Sequence, residues 1–115
     1  MVMDGKELWE ILVPTIRRSD GQPYRTRYHR VWDKKVEAIS GGLTILTPGK
    51  GTWLHEGQTV RERMIPVRIM CTREQVDEII DLTLEYYDQL AVMAYRVSDV
   101  IILKHRTAKK SRKNG

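Results

Sequence analysis

Cysteine occurs once in these 115 residues, at Cys71, which excludes an intrachain disulfide framework and a cysteine-built zinc site. Histidine is nearly as scarce. His29, His55 and His105 stand far apart, with no HxH or HxxxH spacing, so no bound metal is expected. The longest uncharged run begins at Ala38 and ends before Lys50; it is too short and too polar to span a bilayer, and no membrane partner is expected. Met1–Lys6 carries charge without a preceding apolar stretch, unlike a secretory leader. The cytoplasm is the expected compartment. There is no GxSxG, no Walker loop and no GxGxxG, so neither a nucleophile elbow nor a familiar nucleotide cradle is indicated. Internal repeats and interior linkers are also missing, and one domain is expected over residues 1–103.

What is present is ordinary for a globular chain: 41% hydrophobic and 30% charged residues, in a length that buries roughly 65% of its unfolded surface. The net charge of +5 is misleading as a property of the domain. Residues 104–115 hold six Lys/Arg and no acid, while the rest holds 14 basic against 15 acidic residues, a net of −1. That segment reads as a solvated, disordered basic tail. Its only expected partner is weak, nonspecific polyanion binding, since no recognition motif or aromatic interleaving accompanies it.

Glu7–Ile16 is apolar and β-branched and predicts a central strand, with Pro14 marking a strand end or bulge. Tyr24–Ser40 predicts a helix, with Tyr28, Val31, Trp32, Val36 and Ile39 on one stripe and Gly41-Gly42 as its stop. Leu43–Thr47 predicts a short strand ended by a turn at Pro48–Gly51. Thr52–Leu54 extends it to a second turn at His55–Gly57. Thr59–Cys71 is a long strand whose alternation sets Arg63, Ile65, Val67, Ile69 and Cys71, the helix-covered row, against Glu62, Met64, Pro66, Arg68 and Met70. Thr72-Arg73-Glu74-Gln75 is a capping box opening a helix to about Leu90, with Val76, Ile79, Ile80, Thr83 and Tyr87 inward. Ala91–Val97 and Val100–Leu103 predict two further strands.

This order is the ferredoxin-like βαββαβ pattern, an α+β sandwich with an antiparallel sheet and both helices on one face. The other face is left bare, and its apolar residues, Trp9 or Leu8 with Met64 and Met70, need a cover. A homo-oligomer is therefore expected, a trimer favoured over a dimer, with interface clefts suited to a small-molecule ligand.

Glu62 is the candidate that carries most chemistry. A carboxylate inside a strand on an interface face is costly to desolvate unpaired. It predicts either an intersubunit salt bridge, to an arginine such as Arg68, or a grip on a cationic ligand group. Met64 and Trp53 are expected nearby, and Tyr86, Tyr87, Tyr95 and Trp53 could form a flat apolar wall. The glycine-rich segment 41–51 with Lys50 is the alternative, an anion cradle. Cys71 falls on the apolar alternation and reads as a buried, inert thiol rather than a helix-activated one.

Several segments also carry a resemblance: WEILVPTIRRSD, TRYHRVWDKKVEAI, the Gly51–Trp53 turn, RERMIPVRIMC and YYDQLAVMAYRVS. In this order and spacing, over about residues 9–98, they resemble the phage S-adenosylmethionine (SAM) lyases, once called SAM hydrolases. The chain also looks like the wider PII-like group of small ferredoxin-like trimers, and Gly41–Arg63 resembles an uncharacterised family of small proteins. The lyase resemblance implies a unimolecular reaction without cofactor, in which the substrate's own carboxylate attacks its γ-carbon, expelling methylthioadenosine and leaving homoserine lactone. It also implies that Glu62 holds the substrate's cationic end, here as a single glutamate between arginines rather than one of an acidic pair. A PII-like module would instead bind an adenine nucleotide without turnover, and a purely structural trimer would bind no small ligand.

Overall fold

The computed structural model describes residues 5–107; most of the basic tail lies outside the described residues. The chain runs β1 (Glu7–Pro14), α1 (Thr26–Ser40), β2 (Thr44–Ile45), β3 (Gly49–His55), β4 (Gln58–Cys71), α2 (Arg73–Tyr86) and β5 (Ala94–Ser98). All strand pairs are antiparallel, in the order β2-β4-β1-β5, with β3 also pairing with β4. This is the ferredoxin-like α+β arrangement. Pro14 ends β1, as its missing N–H requires.

Alternation divides the two central strands cleanly. Trp9, Ile11 and Val13 of β1 and Val67, Ile69 and Cys71 of β4 are buried in one core with Trp32 and Val36 of α1 and Val76 and Ile79 of α2. Both helices therefore cover the same face. Trp9 belongs to this core and Leu8 to the opposite face, resolving the choice the alternation leaves open. Val31 departs from its expected stripe: it is 41% exposed, at the edge of the α1 apolar sector. Cys71 is fully buried, and desolvation pushes its thiol up to about 11, which makes it a packing residue rather than a nucleophile.

Several boundaries differ from the sequence reading: β2 shortens to Thr44–Ile45, and β5 begins at Ala94 rather than Ala91. The Pro48–Gly51 turn is instead the start of β3, because Gly49 and Gly51 are extended and pair with Met64 and Glu62. The reversal comes at Glu56 (φ 51°) and Gly57 (φ 78°), a two-residue loop with φ positive at both positions, the geometry that matches strand twist. α2 stops at Tyr86 rather than Leu90. Its end is a Schellman closure in which Asp88 N–H donates to Glu85 O and Gln89 N–H to Leu84 O. Asp88 takes the left-handed conformation (φ 49°) that glycine usually supplies. Residues 100–103 form no strand; only Ile102 makes a single bridge.

The two expected helix signals are built as predicted. Gly41 (φ 89°) donates its N–H to Glu37 O and closes α1. Thr72 Oγ1 accepts from Gln75 N–H at 3.2 Å, while Gln75 Oε1 accepts from Thr72 N–H at 2.9 Å. Gln75 Nε2 also donates to Ile39 O at 2.9 Å, tying α2 to α1. Thr72→Ala should therefore cost about 1 kcal/mol in a urea titration. Gln75→Ala should cost more, because it removes the interhelix bond as well.

Candidate functional site

β4 has 14 residues, about 46 Å at ordinary strand rise, and only its second half pairs with β1. The first half and β3 form a hairpin that continues past β1. Glu62 lies in this hairpin, directly opposite Gly51, and Met64 opposite Gly49. The two glycines put no side chain beside them, leaving an open strip along the face away from the helices. Glu62 is half-buried, and desolvation raises its carboxyl above the ordinary glutamate value of 4.5. It makes no ion pair or hydrogen bond among the described residues.

Lys50 pairs with Arg63 and Thr52 with Arg61, so alternation sends Lys50, Arg61 and Arg63 to the opposite face of the hairpin from Glu62. A concavity of ≈ 410 Å³ along the hairpin is bordered by these residues and by Glu62. The hairpin thus has an acidic and a cationic side, and like charges directly across a ladder repel unless an anion lies between them. Trp53 pairs with Val60; its side chain is outside those described.

The candidate tyrosines do not gather beside Glu62; Tyr86 and Tyr87 cluster instead with Tyr24 and Tyr28 behind the sheet. Tyr87 is fully buried on the helix side, its hydroxyl 2.6 Å from His29 Nδ1. Tyr86 stacks on Tyr28 at 4.3 Å, also behind the sheet. Both were candidates for a wall near Glu62, and both instead join α1 to α2, because the end of α2 packs inward there. Tyr95 alone is on the open face, 42% exposed, where its hydroxyl donates to Glu10 Oε2.

Glu10 is the residue that the sequence reading missed. It is only 6% exposed, held by Tyr95 and by Arg68, whose Nε donates to Oε1 at 2.9 Å. Arg68 is directly opposite it on β4 and is therefore engaged within the chain rather than with Glu62. The signal was a lone carboxylate between Leu8 and Leu12 in an otherwise apolar row, which demands a cationic partner on the neighbouring strand. Among the described residues no three His, Cys, Asp or Glu side chains gather as a metal site would require, and no helix is long and apolar enough to cross a membrane.

No family model matches the chain, and no curated protein matches it in sequence. Solved structures do match in fold. CutA from Xylella fastidiosa aligns with a TM-score of 0.64 at 14% identity over 87% of this chain and 88% of its own. The divalent cation tolerance protein CutA1 from Thermus thermophilus gives 0.61 at 12% identity over 88% and 87%. A phage SAM lyase in complex with S-methyl-5'-thioadenosine gives 0.60 at 17% identity and spans 95% of this chain and 97% of its own. The chain resembles both groups in fold over most of its length.

Proposed function

We propose that the chain is a SAM lyase, acting as a homo-oligomer whose sites lie where a neighbouring subunit closes over Glu62. The observation that carries this reading is Glu62 itself: a half-buried carboxylate without an ion-pair partner among the described residues, beside a glycine-floored strip. The likeness in fold to the phage enzyme, along nearly the full length of both chains, supports it.

The reaction joins a carboxylate oxygen to the γ-carbon and breaks the bond from that carbon to the sulfonium sulfur. The electron pair goes to sulfur, so methylthioadenosine leaves neutral and the lactone closes. Opposite charges on carboxylate and sulfur disappear together, and a dry cleft favours such a step. Gripping the sulfonium would stabilise the ground state more than the transition state. The useful target for Glu62 is the substrate's ammonium, which keeps its charge throughout. Fixing it turns the substrate's chain into the conformer in which carboxylate and γ-carbon meet. Met64, on the same face two positions along β4, is assigned to the apolar side of the cleft; Tyr95, held on Glu10 beside Arg68 about 20 Å away, does not line it within one subunit. Tyr87, buried in the core against α1, is not part of it.

Incubation of the protein with SAM and chromatography of the products tests the reading: methylthioadenosine and homoserine lactone should appear in equal amounts. The cationic side of the hairpin favours a second reading, in which Lys50, Arg61 and Arg63 hold the phosphates of an adenine nucleotide without turnover. A rise in Tm with ATP but none with SAM, and no product, would select it. The lone, unbridged Cys71 keeps the cytoplasm as the proposed compartment.

Assembly follows from the open face. Leu8, Leu12, Met64, Pro66 and Met70 form a half-exposed apolar row with no helix over it, and a trimer is the favoured way to cover it. Leu12→Glu should convert the protein from about three times the 13.5 kDa chain mass to a monomer in light scattering. Glu10 is its immediate neighbour, so the new carboxylate also meets a like charge.

A further inference from the structure

Arg68 is bound to Glu10 through one nitrogen only. Among the described residues its two terminal nitrogens have no acceptor. Because Glu10 is nearly buried, this bond also fixes where the guanidinium plane lies. Toward the β2 edge the sheet ends in a cavity of ≈ 420 Å³ bordered by Arg68, Lys6 and Thr44, with Leu8, Leu43 and Met70 as apolar walls. Lys6 has no ion pair among the described residues either. Lys6, without a counterion among the described residues, and the acceptor-free terminal edge of Arg68, whose Nε alone is held by Glu10, thus share a cavity of ligand size with leucine and methionine walls.

We propose that this cavity binds a carboxylate carried on a short apolar body. The terminal edge of a guanidinium offers two parallel N–H donors, a match for the two oxygens of a planar carboxylate. Lys6 adds a second charge from β1's entry, and the Thr44 hydroxyl a further donor. Leu43 takes the apolar part together with Leu8 and Met70, which stand at the margin of the face proposed for assembly. Arg68 is six positions from Glu62 along β4, about 20 Å at strand rise, so this site is separate from the proposed lyase site and neither reading depends on the other.

The test is an amide NMR titration of the full chain with hexanoate, hexan-1-ol and inorganic phosphate, read at Gly41, Gly42 and Thr44. Hexanoate should shift these resonances saturably, and hexan-1-ol at the same concentration should not. K6Q and R68Q should each weaken hexanoate about tenfold, the loss of one charged hydrogen bond. If R68Q loses its fold because Glu10 is stranded, K6Q decides, since Lys6 makes no contact with Glu10. Equal shifts from hexan-1-ol, an unaltered hexanoate Kd in K6Q, or saturation by phosphate with none by hexanoate would each overturn the proposal.

Discussion

Glu62→Gln should lower kcat/KM for methylthioadenosine formation by about a hundredfold or more while leaving the fold and oligomeric mass unchanged. The substitution keeps the shape and removes only the charge. Because Glu62 has no ion pair to break among the described residues, the folded state loses no salt bridge. The stability change even has a favourable sign. Desolvation raises the folded carboxyl above its ordinary value, so the native state holds the proton more tightly than the unfolded one, and ionisation weakens the fold as pH rises through that window. The neutral amide is free of that penalty, and Tm at neutral pH should stay level or rise slightly. Catalysis has the opposite dependence: the grip on an ammonium needs the carboxylate, so activity should fall as pH drops through the raised value, and Glu62→Gln should abolish this acid limb. Lys50→Gln separates the two readings further. It should leave lyase turnover within about twofold but weaken a nucleotide held on the cationic side by about tenfold. Equal turnover in wild type and Glu62→Gln would remove Glu62 from the mechanism, and no product from either would sink the lyase reading.

The sequence was most legible where one residue type has one physical use. The capping box at Thr72, the glycine stop at Gly41 and the two-row alternation of β4 each lead to what the structure contains. It was least legible where an unusual residue fills a familiar role. Asp88 closes α2 in a conformation normally marked by glycine, so the helix read four residues too long. Gly49 and Gly51 look like a turn but are extended, and their value is the side chains they lack opposite Met64 and Glu62. Glu10 was hidden for a different reason: its partners, Arg68 and Tyr95, are 58 and 85 residues away, and only the sheet register brings them together. Tyr87 shows the same limit in reverse. An inward helical tyrosine near the end of α2 can face a cleft or the core, and its hydrogen bond with His29 on α1 decides for the core.

Trp32→Ala should be the most destabilising single substitution in the core, costing about 3–5 kcal/mol. Trp32 is 1% exposed, and its ring lies 6.1 Å from that of Tyr87, so truncation empties the space between the helices and the sheet. It also removes a polar link: Trp32 Nε1 donates to Thr83 Oγ1 at 3.0 Å, while the same hydroxyl donates to Ile79 O at 2.6 Å. Without the indole, the buried Thr83 oxygen keeps its donor bond but loses its incoming one. Trp32→Phe isolates that share by preserving most of the volume, and should cost about 1–2 kcal/mol. Against a total of about 5–15 kcal/mol for a domain of this kind, the alanine variant should lower Tm by about 10–20 °C. Val31→Ala, one position along but exposed, should stay within about 0.5 kcal/mol. At a temperature where all three variants remain folded, turnover per folded chain should match wild type, because α1 lies behind the sheet and Glu62 faces away from it. A Trp32 variant that loses activity before it loses structure would mean instead that the helix layer shapes the cleft through β4.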